Sequence, residues 1–275
     1  MRLFLLFFVV LPIALISGIG DSLANAHYKV KFSLQDKISY STFKYKTEQG
    51  YYNYVRGGEY GHSESYSESI HSRDIWNPEL KIDFELPYWL KVTCGVNHNV
   101  LKFDSGYGEI RNTSVNYIYA PNSTQYNPIV IGENRTESLE GYFKEKVRLS
   151  MASTFLGLGM ARQFGKFNFD FDYSFSVHKA LYGERAKSYY DVNNNFLKSD
   201  ETSKMEYGGE LEKFFFSHNM STSISYRICR RINLKLGYIY SFYLKDIDYE
   251  GTNYSSRVNN LRTNALFFGI SFSII

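Results

Sequence analysis

The stretch KFNFDFDYSFSVH, residues 166–178, alternates apolar and polar residues over almost its whole length. The apolar residues are Phe167, Phe169, Phe171, Tyr173, Phe175 and Val177. Successive side chains of a β-strand point to opposite sides, so the pattern gives one apolar wall and one polar wall that carries Asp170 and Asp172. A soluble sheet covers such an apolar wall with a second layer, whereas a membrane strand leaves it to lipid. The rest of the sequence decides between the two.

The first 26 residues have the pattern of a secretory signal peptide. Arg2 precedes an apolar run over residues 3–19, and Ala24-Asn25-Ala26 supplies a small-x-small cleavage site. An uncleaved membrane helix is the alternative, but Pro and Gly residues interrupt the run. We therefore expect cleavage after residue 26 and one mature domain over residues 27–275, with no linker composition inside it.

Composition and charge exclude several classes of protein. Lys and Arg number 31 against 28 Asp and Glu, a formal net charge of +3, and the basic residues are scattered along the sequence. Nucleic acid is therefore a poor partner. The chain has 25 Tyr and 22 Phe but only 5 Pro, and no run after residue 19 is long enough to span a bilayer as a helix. Apolar residues dispersed in alternation are typical of membrane strands.

The period of two recurs along the chain. It predicts eight strands, with ten as the alternative count, near residues 28–46, 63–87, 88–105, 139–162, 166–180, 206–229, 232–245 and 262–275. Two segments are less regular. The apolar parity changes between Met151 and Leu156, which we interpret as a β-bulge near residues 153–155. Asp36 interrupts the first apolar column and is compatible with a turn.

The connections alternate between short and long. The short ones are 86–88, 163–166 and 229–231, and the long polar ones are 47–62, 106–138, 181–205 and 246–261. Short periplasmic turns and long extracellular loops are typical of outer-membrane barrels. A soluble β-sandwich is the alternative, but the aromatic density and a strand that reaches the C-terminus favour the barrel. The sequence therefore predicts an all-β, transmembrane, antiparallel up-and-down β-barrel.

The signal peptide, the strand pattern and the final LFFGISFSII resemble the small outer-membrane barrels of Gram-negative bacteria, of the OmpA, OmpX and opacity type. The resemblance implies a place in the outer membrane, contact with its lipid and lipopolysaccharide, and insertion by the barrel assembly machinery. Such proteins usually end on Phe or Trp, whereas this chain ends on Ile275 with Phe272 three residues earlier. Residues 141–177 also resemble one hairpin of the omptins, which are ten-stranded outer-membrane proteases.

The omptin resemblance implies an acidic pair and a His-Asp pair that face each other across the extracellular rim and activate a water molecule. His178, near the outer end of its predicted strand, and Asp104 are the catalytic candidates. Asp104 has no second Asp beside it, and a solvated rim histidine is the other interpretation of His178. A lipid A deacylase would need His and Ser two residues apart, but His218 and Ser221 are three apart and so lie on opposite faces.

Two other features allow more than one interpretation. Asp170 and Asp172, with Lys146 and Arg148 on the neighbouring strand, suggest either an ion path or a structural plug. An eight-stranded barrel is just wide enough for its own side chains, and buried charges of opposite sign neutralise each other, so we favour the plug. Cys94 and Cys229 lie in an oxidising compartment, but their opposite predicted facing disfavours a disulfide.

The functional prediction rests on the loops. Residues 51–69 and 111–138 are rich in Tyr, Ser, Asn and Glu, residue types that make adaptable contact surfaces. No metal-ligand spacing, phosphate loop or catalytic triad occurs, so we expect no cofactor and no metal. The sequence therefore predicts a non-enzymatic outer-membrane scaffold whose loops contact an external surface ligand, in adhesion or surface contact. The alternatives are an omptin-like protease, or another barrel enzyme, with an unrecognised active site, and a small porin.

Overall fold

The computed structural model describes residues 29–55, 58–74, 76–121, 130–199, 203–205, 214–251 and 254–274. The signal peptide predicted for residues 1–26 lies outside these residues, and the single mature domain stays a prediction. No helix of the described part has the length and apolar character needed to cross a bilayer. The described strands are β1 (Lys29–Val55), β2 (Gly58–Asp74), β3 (Glu79–Glu85), β4 (Leu90–Asp104), β5 (Gly108–Tyr119), β6 (Val130–Phe164), β7 (Phe167–Tyr190), β8 (Phe196–Ser199), β9 (Ser203–Met205), β10 (Phe215–Arg227), β11 (Ile232–Tyr243), β12 (Ile247–Gly251) and β13 (Tyr254–Ser273).

Eight strands form a closed ring in the order β1-β3-β4-β6-β7-β10-β11-β13, and every neighbouring pair is antiparallel. The ring closes where β13 pairs with β1, from Lys31 opposite Ser273 to Gln49 opposite Tyr254. Since the chain visits neighbouring strands in sequence order, this is an up-and-down barrel. The predicted all-β barrel is confirmed, with eight strands in the ring rather than ten.

At two of the eight positions in the ring, those of β3 and β4, a separate strand continues the line upward. β2 extends the line of β3 along β1, and β5 extends the line of β4 along β6. We call the part that contains β3, residues 90–100 of β4 and the short turns the lower barrel, and the part that contains β2, the end of β4 and β5 the upper barrel. β6 alone has 35 residues, about 115 Å of strand at roughly 3.3 Å per residue. An apolar band of about 25 Å covers only a fraction of that length, so the upper barrel extends far beyond it.

The long connections lie at one end, as predicted, but many of their residues are paired strand rather than loop. Within 106–138 the structure places β5 and the first residues of β6, and within 181–205 it places the continuation of β7. The outer face of these segments meets water and the inner face meets a mixed polar and apolar interior, so the apolar alternation disappears although the backbone pairing continues. At the other end the turns are short: a 3₁₀ turn at Pro87–Trp89 and a tight turn at Gly165, whose φ is 59°.

The parity change in β6 is not the β-bulge that the sequence suggested. Val147, Leu149 and Met151 are buried in the interior, and Ser153 continues the same inward parity. Leu156 is 64% exposed on the outer face. The nearest register shift lies between Ser150 and Met151 and comes from an extra residue in β7. The apolar residues of β6 face the interior in the upper barrel and the outside in the lower barrel. This change of face, and not an extra residue in β6, produces the change in the sequence pattern.

Asp36 does not mark a turn. It lies within β1, and its carboxylate accepts a hydrogen bond of 2.9 Å from the backbone N–H of Asn77. Asn77 occupies the interruption between β2 and β3, where the ladder leaves backbone groups without strand partners. An Asp side chain that accepts such an N–H replaces the missing ladder bond. The predicted strand over 63–87 is thus β2 and β3 in line, with a capped break between them.

The outer face of the lower barrel is apolar. The aromatic wall of β7 is exposed, with Phe169 at 48%, whereas Asp170 and Asp172 point inward and are buried. On β13 the apolar residues from Leu266 to Ile274 alternate outward in the same way. The two tryptophans, Trp76 and Trp89, are exposed at the upper and lower ends of β3. An apolar outer band with aromatic residues at both edges is the surface of a transmembrane barrel.

Candidate functional site

The interior of the lower barrel contains a layer of buried ion pairs, which we call the ionic layer. Its members are Lys81, Lys91, Lys235, Asp83, Asp170 and Asp172. The Nζ atom of Lys91 lies 2.8 Å from a carboxylate oxygen of Asp172 and 3.0 Å from one of Asp170, and Lys81 reaches Asp172 at 2.6 Å. Three cations and three anions balance, as burial of charge requires.

The cations of the ionic layer differ from those that the sequence suggested. Lys146 and Arg148 occupy the outward parity of β6, and both side chains are exposed in the upper barrel. They cannot pair with Asp170, which points into the lower barrel. The error follows from treating the parity of β6 as switched by a bulge. The actual partners come from β3, β4 and β11, which are distant in sequence from Asp170.

A polar cavity lies directly above the ionic layer. About 70 Å³ of it is open to the centres of water-sized molecules, and a water needs about 10–15 Å³ on this measure. Lys37 and Glu79 form an ion pair of 2.8 Å on its wall, and Gln35 donates to Glu79 at 2.6 Å. Most of the remaining lining is hydroxyl and amide, including Ser39, Asn97, Ser174, Ser176 and Asn219. The cavity therefore has the volume and the polar partners that buried water needs, beside apolar lining such as Leu101, Met151 and Ile239.

His178 closes the upper end of this cavity. Its Nδ1 lies 2.5 Å from Oγ of Ser153, and its Nε2 lies 2.7 Å from Oγ of Ser217. The imidazole stacks on Phe215 with ring centroids 5.1 Å apart and also contacts Tyr243. The side chain is buried, so the interpretation as a solvated rim histidine is wrong. Two hydroxyls and two aromatic rings fix a histidine in place but do not supply the carboxylate that water activation needs.

Asp104 lies on the other side of the barrel wall. It occupies the outward parity of β4, opposite Lys146 of β6, and is exposed. His178 points into the interior, so the wall separates the two side chains. The structure does not bring the two catalytic candidates of the sequence together.

An apolar cluster, which we call the apolar plug, fills the interior above His178. Phe43 and Tyr45 each meet the ring of Phe103 edge-on, with centroids 4.8 Å apart. Leu149 and Leu261 are almost completely buried in the same cluster. The other members are Tyr66, Ile70, Leu101, Ile110, Phe143, Val147, Met151, Phe215, Ile247 and Val258. These buried apolar side chains lie between the polar cavity and the extracellular end of the described barrel.

Polar groups return above the apolar plug. The hydroxyl of Tyr45 donates to Glu145 at 2.6 Å, and Lys187 lies 3.4 Å from Glu145 and forms an ion pair with Glu64. His62 lies nearer the mouth, 3.5 Å from Glu64. The sequence analysis did not consider these residues as a site. His62 and Glu64 are two residues apart and so share the inward side of β2, which was the only signal of a site in the sequence. Their partners lie on β6 and β7, more than 70 residues away.

Burial changes proton affinity in the upper barrel. It raises the pKa of Asp74 to about 6, although the hydroxyl of Ser72 donates to the carboxylate at 3.1 Å and opposes the shift. It also raises the pKa of Tyr66. The carboxyl of Asp74 therefore takes up a proton at a higher pH in the folded protein than in the unfolded chain.

The two pairings that strand parity disfavoured do not form. His218 points outward and bonds the hydroxyl of Tyr173 at 2.5 Å, whereas Ser221 lies on the inward parity of the same strand. Cys94 and Cys229 are both free thiols. Among the described residues, no group of three or more His, Cys, Asp or Glu side chains is arranged to hold a metal ion.

No protein-family model matches this chain, and no curated protein matches it. Among solved structures, it is similar to neisserial surface protein A, with 11% identity, a TM-score of 0.29, and coverage of 89% of this chain and 96% of the other. It is similar to the outer-membrane protease OmpT of Escherichia coli, with 8% identity, a TM-score of 0.36 and coverage of 91% and 97%. It is also similar to the outer-membrane protein OprG of Pseudomonas aeruginosa, with 9% identity, a TM-score of 0.34 and coverage of 90% and 97%.

The chain is an outer-membrane-type β-barrel. Its own strand pairings and its apolar outer band carry that statement.

Proposed function

We propose that this chain is an integral outer-membrane protein whose barrel is a closed, non-enzymatic scaffold and whose upper barrel contacts an external surface. The observation that carries the proposal is the contrast between a filled interior and long paired strands that continue beyond the lipid band. An interior filled by side chains supports a platform. The polar surface of the upper barrel then meets lipopolysaccharide laterally and an external ligand at its tips.

The filled interior disfavours the porin alternative. Solute would have to pass the ionic layer and then the apolar plug. Opening the first exposes unpaired buried charge, and opening the second separates close-packed side chains such as Phe103 and Leu149. We expect purified protein in planar bilayers to show no steady conductance above that of the lipid alone.

The placement of the catalytic candidates disfavours the protease alternative. His178 is buried in the interior below the apolar plug, and Asp104 faces outward. A peptide substrate that arrives from outside could not contact His178 and Asp104 at the same time. We expect the folded protein, supplied with lipopolysaccharide, to cleave no peptide library between basic residues above background.

The tips of the upper barrel support the contact role. Ile118 and Ile131 are exposed near the end of the hairpin formed by β5 and β6, and Phe196 and Leu197 are exposed on β8. Tyr119 stands beside Ile118 and is also exposed. Exposed apolar and aromatic side chains held on paired strands and surrounded by polar residues are typical of interaction sites.

Topology is tested with epitope tags at two turns of the barrel. Asn194 lies in the turn between β7 and β8, and Gly165 lies in the turn at the opposite end of β7. We expect a tag at Asn194 to bind antibody on intact cells and a tag at Gly165 to bind only after permeabilisation. The reverse result would invert the topology, and labelling of neither in an outer-membrane fraction would contradict the proposal. Asn122, another suitable loop position by sequence, lies outside the described residues.

The contact role is tested by the attachment of cells that display the protein to host-cell layers and to matrix-coated plates. We expect the triple variant Ile118→Ser, Tyr119→Ser, Ile131→Ser to lose most of the attachment that the protein confers. Tyr182→Ser is the matched control, because it removes an exposed outward aromatic side chain from the lateral wall. Attachment that is equal with and without the protein would refute the contact role and leave the barrel assignment standing.

Insertion is part of the same proposal. β13 ends at Ser273, and its outward face carries the exposed Phe268, Ile270 and Phe272. We propose that the barrel assembly machinery inserts this chain through β13. Replacing Phe272 by Ser should lower the amount of folded barrel, which migrates differently on a gel before and after boiling.

A further inference from the structure

Basic side chains collect at the lower end of the barrel, on two adjacent turns. β7 pairs with β10, and the backbone N–H of Arg227 donates to the carbonyl of Lys166 at 2.8 Å, so the turn after β6 and the turn after β10 lie side by side. Together they carry five basic residues: Arg162, Lys166, Arg227, Arg230 and Arg231. We call these five residues the basic turn pair. They are scattered in sequence, and strand pairing brings them together.

The basic turn pair has no acidic counterpart on the same segments. Over residues 159–172 and 222–236 the acidic residues are Asp170 and Asp172, and both are buried in the ionic layer. Arg162, Lys166, Arg230 and Arg231 are exposed, and Arg227 is partly exposed. The turn between β3 and β4 at the same end contains no charged residue over Leu86–Trp89. At the same end β1 and β3 carry Lys29, Lys31 and Glu85, of which Lys31 and Glu85 form an ion pair, so the positive charge of the described lower end is greatest on the basic turn pair.

The basic turn pair adjoins the lipid-facing aromatic residues. The guanidinium of Arg162 lies 4.5 Å from the ring of Trp89 and 4.8 Å from the ring of Phe164. Phe167 and Tyr226, on the neighbouring strands, are in ring contact at 5.2 Å, and both are exposed to the outer surface. Aromatic rings next to cations at the end of an apolar band mark the level at which lipid headgroups begin.

We propose that the basic turn pair binds the phosphate headgroups of anionic phospholipids in the leaflet on the turn side of the membrane. Guanidinium and ammonium groups are the phosphate ligands of proteins, and clusters of four to eight of them at a membrane edge recruit anionic lipid. Continuity with the lipid-facing rings favours a lipid over an acidic polymer or protein, since only a lipid places its phosphate and its chains against both groups at once. The proposal goes beyond the proposed function, because it concerns the opposite end of the barrel.

Trp89 supplies a built-in reporter. The chain has two tryptophans, so in a Trp76→Phe variant all tryptophan emission comes from the ring beside Arg162. This protein is refolded into phosphatidylcholine vesicles in which one lipid in ten carries brominated acyl chains, under either a phosphatidylglycerol or a phosphatidylcholine headgroup. The ratio of the two quenching efficiencies gives the relative affinity for the anionic lipid. We expect about five-fold preference or more, since one basic residue near an anionic surface contributes about five-fold in binding.

The test variant is Arg162→Gln with Lys166→Gln, in which we expect the preference to fall about five-fold or more relative to the parent. Lys44→Gln with Lys46→Gln is the matched control, because it removes two outward basic residues from β1 in the upper barrel and should leave the preference unchanged. A parent without preference, or a preference that survives in the test variant, would overturn the proposal. A second assay measures whether the protein sediments with isolated cell wall. If both lipids quench equally, and the parent sediments with the wall but the test variant does not, the surface binds the wall polymer instead. Folded protein quenched by neither lipid would refute the membrane placement itself.

Discussion

The lower and upper barrels are built from the same strands with opposite polarity. In the lower barrel the interior holds Lys91, Asp170 and Asp172, and the exterior is aromatic and aliphatic. In the upper barrel the apolar plug occupies the interior next to the lower barrel, and the exterior carries charged residues such as Lys146 and Arg148. The comparison shows that the surrounding solvent, lipid or water, decides which side of a strand is apolar.

The two regions also differ in how their interiors are stabilised. The ionic layer depends on each charge having its partner, since a buried charge left alone costs several kcal/mol. The apolar plug depends on removal of apolar surface from water and on close packing. Substitutions that are severe in one region should therefore be mild at corresponding positions of the other.

The largest effect is expected for Lys91→Met in the ionic layer. The change removes a cation that lies within 3.0 Å of both Asp170 and Asp172, and it leaves buried carboxylates without enough positive charge. We expect a loss of about 3–5 kcal/mol in the free energy of unfolding, measured by urea titration of the protein folded in lipid vesicles. Lys102→Met, at an exposed position of the same strand, is the control and should change stability by less than about 0.5 kcal/mol. Similar losses for both variants would contradict the comparison.

The next effect is expected for Leu149→Ala in the apolar plug. Leu149 is almost completely buried, so truncation leaves a cavity and costs about 2–5 kcal/mol. Leu158→Ala, at an outward position of the same strand that is 68% exposed, leaves no cavity because lipid fills the space. A loss for Leu158→Ala as large as for Leu149→Ala, in the same vesicle titration, would mean that the upper interior is not packed as a core.

The lower barrel was largely predictable from the sequence. One wall of each strand faces lipid there, so apolar residues must alternate, as in the run from Phe167 to Phe175. The same constraint fixes the short turns, because chain that leaves the apolar band at Gly165 must re-enter it at once. The closed ring of eight strands followed from these two signals.

The upper barrel was not predictable in the same way. Residues 106–138 have no apolar alternation, although β5 and β6 pair through most of them. The outer face of these strands meets water, and the inner face meets an interior that is partly polar and partly apolar. Neither face therefore requires a fixed residue type. The inversion at Leu156 was interpreted as a β-bulge for the same reason, since sequence parity cannot show that the solvent has changed.

The candidate site was predicted only in part. The interpretation of Asp170 and Asp172 as charges neutralised inside the barrel agrees with their ion pairs. The cations that pair with them, however, come from β3, β4 and β11. The alternation within one strand does not identify which strands lie across the ring. His178 was expected at an outer strand end because the apolar alternation stops at Val177. β7 continues to Tyr190, which places His178 in the interior instead.

A smaller effect is expected for a cation on the outer face. Phe171→Arg places a charge in the lipid-facing band, which costs about 2–4 kcal/mol near the middle of the bilayer. Ser188→Arg is the matched control, because Ser188 occupies the outward parity of the same strand in the upper barrel, where water solvates the charge. Ser174, on the inner wall of the lower barrel, should tolerate a small polar replacement better than Phe171 tolerates Arg. Equal losses for Phe171→Arg and Ser188→Arg, after refolding into vesicles, would remove the distinction between the two outer surfaces.

The smallest effect is expected for Asp74→Asn, and it appears only as a dependence on pH. Burial raises the pKa of Asp74 to about 6 in the folded protein, from an ordinary value of 3.8. Between these values the folded state binds more protons than the unfolded chain, so stability falls as pH rises through this window and stays lower above about pH 6. The stability that Asp74 contributes should therefore be lost between about pH 4 and 6, and Asp74→Asn should remove that loss because an amide does not titrate. Asp104→Asn, on the exposed face of β4, controls for the loss of one negative charge. If the Asp74 and Asp104 variants gave the same pH profile of urea unfolding, burial of Asp74 in the upper barrel would not be the cause.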